Sequence, residues 1–159
     1  LGHGLSEGLG MALGLRYLKK NCRVFVLLGD GETQEGQVWE AAMAASHFKL
    51  DNLTAILDHN QLQVDGLVSK VMNIEPLVDK WRSFGWTTIK VDGHNIKELL
   101  RVLKEACSSK GKPTIIIADT IKGKGVSYME NIPHWHGTRV PNREELAQAI
   151  AELKGESDE

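Results

Sequence analysis

Two polar side chains stand at matching places in this 159-residue chain. In "LLGDGETQEG" (Leu27 to Gly36) an apolar run ends in Asp30, held between Gly29 and Gly31; thirty residues on, a second run ends in "DHN", Asp58-His59-Asn60. A carboxylate and an amide oxygen are hard ligands that suit Mg²⁺ or Ca²⁺ and not zinc. One carboxylate under-neutralises a dication, an arrangement Mg²⁺ accepts when the phosphate oxygens of a ligand complete its octahedron. Gly31 would then let backbone approach those phosphates and open a helix whose first amides favour anions. Each piece alone has a plainer reading, since Gly-Asp-Gly is usually a turn and Asn after a strand a turn former. Their spacing and topology tip the balance toward a cation site.

The elements that must position these residues are legible in the hydrophobic pattern. "CRVFVLL" (Cys22 to Leu28), "NLTAILD" (Asn52 to Asp58), "WTTIKV" (Trp86 to Val91) and "PTIIIAD" (Pro113 to Asp119) are short, continuous and rich in β-branched residues. That pattern predicts parallel strands covered on both faces. Between them lie helical stretches: "SEGLGMALGLRYLKKN", "QVWEAAMAASHFK", "EPLVDKWRSFG" with Pro76 in its first turn, and "NIKELLRVLKEACSSKG" with Asn95 as a capping residue. The glycines of the first helix suit close packing. Strict alternation predicts an α/β fold, an open, mostly parallel, doubly wound sheet with helices on both faces. Ligands of such sheets bind beyond the carboxyl ends of the strands, so neighbouring first and second strands would let Asp30 and Asn60 converge. "IKGKGVSYMENIPHWHGTRVP" has no period and reads as a long loop. A helix from about Asn142 to Leu153 and an acidic tail close the chain, which divides it into residues 1–140 and 141–159.

Composition narrows the function. The net charge of −2 carries no polybasic signal and argues against nucleic acid. No apolar run nears the roughly 20 residues of a membrane span, and no signal peptide opens the chain. Cys22 and Cys107 lack a CxxC partner and are expected to be buried free thiols in the cytoplasm. "GHGLSEG" and "KGKGVS" fail the spacing of the dinucleotide and P-loop fingerprints. Among the other histidines, His47 reads as structural, His59 as orienting its loop, His94 as part of the "DGHN" turn, and His134 and His136 as a poor metal pair; His3 keeps a modest functional chance. The four tryptophans read as packing anchors. The opening on Leu1 rather than Met suggests the interior of a longer protein.

"GDGETQEGQVWEAAMAASHFKLDNLTAILDHNQLQVDG" resembles the thiamine-diphosphate motif of transketolases, and "LGHGLSEGLGMALG", "VDGHNIKEL" and "DTIKGKGVSYMEN…WHG" match the same family in the same order. The resemblance covers nearly the whole chain and corresponds to the later part of the family's diphosphate domain. It implies that Asp30, Asn60 and the backbone carbonyl of Leu62 bind Mg²⁺, with Ca²⁺ as a substitute. Leu1, Gly2, Gly31, Asn60, Lys122 and His136 would contact thiamine diphosphate, and His136 and Glu35 would serve catalysis. Glu35 in the family sits at the subunit interface, toward a partner glutamate that activates the aminopyrimidine ring; the plainer reading is a first-turn glutamate stabilised by the helix dipole.

The activity so implied is transfer of a two-carbon ketol unit between sugar phosphates, with the cofactor as electron sink. The partner would be a carboxyl-terminal chain carrying the pyrimidine domain, in a dimer or heterotetramer, and this chain alone would be inactive. Another thiamine-diphosphate enzyme, such as deoxyxylulose-phosphate synthase, and a non-catalytic cofactor-binding module are the alternatives.

Overall fold

A computed structural model describes residues 1–137 and 139–155. Four parallel strands form the sheet: β1 (Val24–Gly29), β2 (Leu53–His59), β5 (Thr87–Asp92) and β6 (Thr114–Asp119), in the order β1-β2-β6-β5. The helices are α1 (His3–Tyr17), α2 (Gly36–His47), α4 (Leu77–Ser83), α5 (Ile96–Ser108) and α6 (Arg143–Lys154). Between β2 and α4 lie a hairpin, β3 (Leu62–Gln63) with β4 (Gly66–Leu67), and the single turn α3 (Val68–Val71). Sequence pattern does not reveal these, because two-residue strands carry no period. Helices cover both faces, as the alternation required. Among the described residues no helix is long and apolar enough to cross a membrane.

Each face of the sheet has its own core. Leu53, Ala55, Leu57, Ile115 and Ile117 point to one side, against Leu5 and Ala12 of α1, Val38 to Ala45 of α2, and Leu77 and Trp81 of α4. Ile116, Ala118 and Val91 point to the other, against Val102 and Ala106 of α5. The helix α5 lies over β5 and β6, at the far edge from β1. Phe25 and Leu27 are therefore 47% and 71% exposed, while Val26 and Leu28 are buried. This corrects the expectation that the first strand is covered on both faces. An aromatic cluster anchors the first core: Trp39 lies 5.0 Å from Trp81, and Trp81 5.0 Å from Trp86. Trp135 instead packs on Tyr128, with Arg139 over its ring at 4.1 Å.

Boundaries shift for local reasons. The first helix begins at His3, not Ser6, because Gly2 (φ 85) turns the chain directly into it. Pro76 is the residue before α4 rather than inside its first turn. Asn95 caps α5 by accepting from the Glu98 N–H at 3.2 Å. The full reciprocal capping box closes at α6, between Asn142 and Glu145. Both cysteines are free, but Cys22 is exposed and Cys107 half-buried, not buried as expected. Both lie near helix or strand ends, where the surface begins. Among the described residues the loop after β6 holds one short 3₁₀ turn, Pro133–Trp135, and the acidic tail, residues 156–159, lies outside the described residues.

Close packing in α1 falls on one glycine. A Cβ at Gly8 would sit 2.3 Å from Val26 Cγ2, whereas among the described residues nothing lies within 4 Å of one at Gly14. Overpacking costs about 1–3 kcal/mol and helix propensity returns about 1 kcal/mol. Gly8→Ala is expected to destabilise by up to about 2 kcal/mol net, and Gly14→Ala to stabilise by about 0.5–1 kcal/mol. Denaturant unfolding midpoints check both.

Candidate functional site

β1 and β2 are hydrogen-bonded neighbours in register, Gly29 opposite Asp58. The residues just beyond their carboxyl ends therefore meet. Asp30 continues the ladder by donating its N–H to Asp58 O at 3.2 Å. Its side chain is 1% exposed. Oδ1 accepts from the Gly31 N–H at 2.7 Å and Oδ2 from the Gln61 N–H at 2.5 Å. Asn60 is 6% exposed and fixed at both ends. Its Nδ2 donates to Asp58 Oδ2 at 2.9 Å, and its Oδ1 accepts from the Leu62 N–H at 2.9 Å. The Thr120 hydroxyl donates to the other oxygen of Asp58. Between them Gln61 takes a left-handed backbone, φ 63, which turns the chain from strand into hairpin.

Burial pushes the Asp30 carboxyl above its ordinary value, against the lowering effect of the two backbone hydrogen bonds and the nearby His59. A buried carboxylate shifted upward by desolvation gains most from a cation, which would restore its charged form. Among the described residues no three His, Cys, Asp or Glu side chains gather as a metal-binding group. A cation here would draw on Asp30, the Asn60 amide, a backbone carbonyl and ligand oxygens.

A cavity of about 360 Å³ opens over this point, lined by Leu1, Asp30, Gly31, Glu35, Asn60, Leu62 and His136 among others. Lys122 does not line this cavity but a second one, with Asp58 and Thr120. It lies close enough that its charge, after burial, is the second cause holding the His136 imidazole below its ordinary value. Among the described residues the buried His136 Nδ1 atom has no hydrogen-bond partner. A Cβ at Gly31 would stand 3.0 Å from Gln63 Cβ, so a side chain here would crowd the hairpin beside the cavity. An orphaned imidazole nitrogen, a cradle that a methyl group would fill and a hard-oxygen donor set all fit a diphosphate with a small dication.

The helix expected to start at Gly31 is a 3₁₀ turn, Gly31–Gln34; the α-helix begins at Gly36. The Gly31 N–H is also engaged by Asp30. Glu35 is the residue before α2, extended (φ −71, ψ 127), with its side chain making no cap hydrogen bond. It is exposed at the cavity rim. His94 Nε2 accepts from the Ile121 N–H at 2.7 Å, and His47 packs edge-on to Phe48; His3 and His134 are exposed. Sequence reasoning missed Glu32. Its two oxygens accept from the Gly2 N–H at 2.8 Å and the Gly29 N–H at 3.1 Å, tying Leu1-Gly2 to the end of β1. A carboxylate two residues after the aspartate, facing glycine amides, was the available signal.

A family model described as "Transketolase, thiamine diphosphate binding domain" matches residues 1–156. The chain is 44% identical over 153 residues to one subunit of the apulose-4-phosphate transketolase of Phocaeicola vulgatus, covering 96% of this chain and 54% of that protein. It is 42% identical over 156 residues to the 6-deoxy-6-sulfo-D-fructose transketolase subunit SqwG of a Clostridium species, covering 98% and 56%. The chain thus spans about half the length of the curated relatives it matches. Transketolase from Campylobacter jejuni superposes with a TM-score of 0.90 at 28% identity, over 97% of this chain and 25% of that one.

The two strand-end aspartates are expected to titrate in opposite directions without cation. Asp30 is raised by burial. For Asp119, burial alone raises the carboxyl, but hydrogen bonds from His59 and Lys90 outweigh it and the net shift is downward. Asp30 therefore opposes folding above its ordinary value, a cost that fades as pH falls through its raised value. Asp119 contributes stability above its ordinary value that is lost as pH falls through its lowered one. Carboxyl-carbon NMR titration should place Asp30 above and Asp119 below 3.8, and added Mg²⁺ should move Asp30 downward.

Proposed function

The chain belongs to the transketolase thiamine diphosphate binding domain family, and from that premise we propose that it anchors the cofactor's diphosphate and Mg²⁺ in a transketolase moving a two-carbon ketol unit between sugar phosphates. The observation that carries the reading is the convergence of Asp30, Gly31, Asn60, Leu62 and His136 on one cavity at neighbouring strand ends. Bound there, thiamine diphosphate supplies an electron sink for cleavage and formation of a carbon–carbon bond.

The chain's own residues do the holding. Asp30, the Asn60 amide oxygen and the Leu62 carbonyl would take Mg²⁺, and Gly31 would leave room for phosphate. Lys122 would neutralise phosphate charge. His136, kept neutral by burial and by Lys122, can accept or donate a proton beside the reacting sugar near neutral pH. Leu1 offers apolar surface to the cofactor's rings, with Gly2 and its Glu32 tether behind it. Glu35, exposed at the rim, points toward a partner chain that would carry the pyrimidine domain; two relatives are named as single subunits of transketolases. Those names carry different sugars, apulose 4-phosphate and 6-deoxy-6-sulfo-D-fructose, so the ketose donor is a variable within this group.

The test is reconstitution of the intact protein with a candidate pyrimidine-domain chain. Ketol transfer to ribose 5-phosphate is assayed from xylulose 5-phosphate and from both of the relatives' sugars. Transfer is expected from at least one donor, only with thiamine diphosphate and Mg²⁺, and not from this chain alone. Asp30→Ala should weaken cofactor retention by at least about 10-fold. Unchanged retention would mean that Asp30 does not hold the cation.

A further inference from the structure

The last residue of β2, His59, precedes the Asn60 turn and faces carboxylates on both sides. Its side chain is 12% exposed, with Nδ1 2.7 Å from Asp119 Oδ1 and Nε2 3.2 Å from Glu75 Oε1. Each carboxylate is anchored in turn by its second oxygen. Asp119 Oδ2 lies 3.0 Å from Lys90 Nζ on β5, and Glu75 Oε2 accepts from the Leu77 N–H at the start of α4 at 2.8 Å. The imidazole is thus the middle of a line of polar contacts running β5, β6, β2 and the loop before α4. The main chain follows the same line, for His59 O accepts from the Thr120 N–H at 3.2 Å.

The turn so held is under local strain. Gln61 is a non-glycine residue at φ 63, a conformation costing roughly 1–2 kcal/mol. It persists because its neighbours over-determine it. On one side the Gln61 N–H donates to Asp30 Oδ2; on the other, Asn60 is tied to Asp58. Those bonds fix atoms beyond the strand end. The His59 side chain adds a tie of another kind, pinning the last residue of the strand to Asp119 and Glu75, on elements that do not line the cavity.

We propose that His59, acting through Asp119 and Glu75, is a positioning residue for the cation site: it holds the Asn60–Leu62 turn so that the Asn60 amide oxygen and the Leu62 carbonyl stand ready beside Asp30. Its effect falls on cation affinity, and through it on retention of the diphosphate, more than on turnover. The inference rests on the reading of Asp30, Asn60 and Leu62 as the Mg²⁺ site.

The test uses the intact protein, with Mg²⁺ calorimetry and Mn²⁺ electron paramagnetic resonance titration in the presence of thiamine diphosphate. His59→Leu, which removes both contacts, should weaken dication binding about 10- to 100-fold. In the reconstituted enzyme the Mg²⁺ concentration for half-maximal activity should rise by a similar factor, with a much smaller change in kcat at saturation. His59→Gln, which can still reach one carboxylate, should recover part of the affinity. Glu75 is half exposed, so Glu75→Gln tests the line without threatening the core; it should weaken binding about 3- to 10-fold. A merely structural histidine would lower the unfolding temperature with the cation affinity intact. Unaltered affinity in folded His59→Gln and Glu75→Gln overturns the inference alone. Failure of the unmodified protein to take up Mg²⁺ with thiamine diphosphate overturns the site reading and the inference together.

Discussion

Burying a carboxylate without compensation costs several kcal/mol, and Asp30 is buried to 1% exposure at a pair of strand ends where backbone amides supply compensation. Parallel strands end with their last amides turning away from the ladder, so the next residues on β1 and β2 have N–H groups free to point at a common centre. Gly31 supplies one and Gln61 the other. The second fixes the start of the β3–β4 hairpin, and with it the place of Leu62. One acidic side chain therefore sets the geometry of two loops. Its pKa stays raised because burial outweighs the backbone hydrogen bonds from Gln61 and Gly31.

The sheet order explains how so small a fold presents this point. With β6 between β2 and β5, the second core under α5 sits at the opposite edge from β1. Asp58, on β2, shares a cavity with Leu99 of that helix, whereas the cavity at Asp30 has no α5 residue in its lining. The cost is an apolar face on β1, where Phe25 and Leu27 meet solvent in this chain. The tight contact of Gly8 with Val26 draws α1 hard onto the other face of the same strand. Gly2, immediately before α1, is thereby brought within hydrogen-bonding reach of Glu32.

Much of this was legible in the sequence, for reasons that can be named. The strand cores follow from runs of β-branched residues, and the pairing of Asp30 with Asn60 from equal placement at strand ends thirty residues apart. What escaped depends on tertiary placement. "VFVLL" and "TIIIAD" look alike as apolar runs, yet only the second lies under helices on both faces; no local signal distinguishes a central strand from an edge. The His59–Asp119 contact joins residues 60 apart, and periodicity carries no information over that distance. The two thiols were misjudged because cysteine's usual preference for burial yields to position at the ends of elements. Glu32 was hidden by its backbone, since a 3₁₀ turn aims side chains differently from the α-helix that was expected.

That last difference also separates two glutamates of one motif. In a 3₁₀ turn residues three apart eclipse, so a turn continued past Gln34 would stack Glu35 over Glu32 and turn both inward. The chain instead goes extended at Glu35 before α2 begins, and the eclipse is broken. Glu32 stays folded against Gly2 and Gly29, where its charge meets backbone amides. Glu35 is left at the rim without a cap hydrogen bond. The same residue type, three positions apart, thus clamps two glycine amides in one case and lies exposed at the cavity rim in the other. Side-chain chemistry is identical; a single change in backbone region separates the two positions.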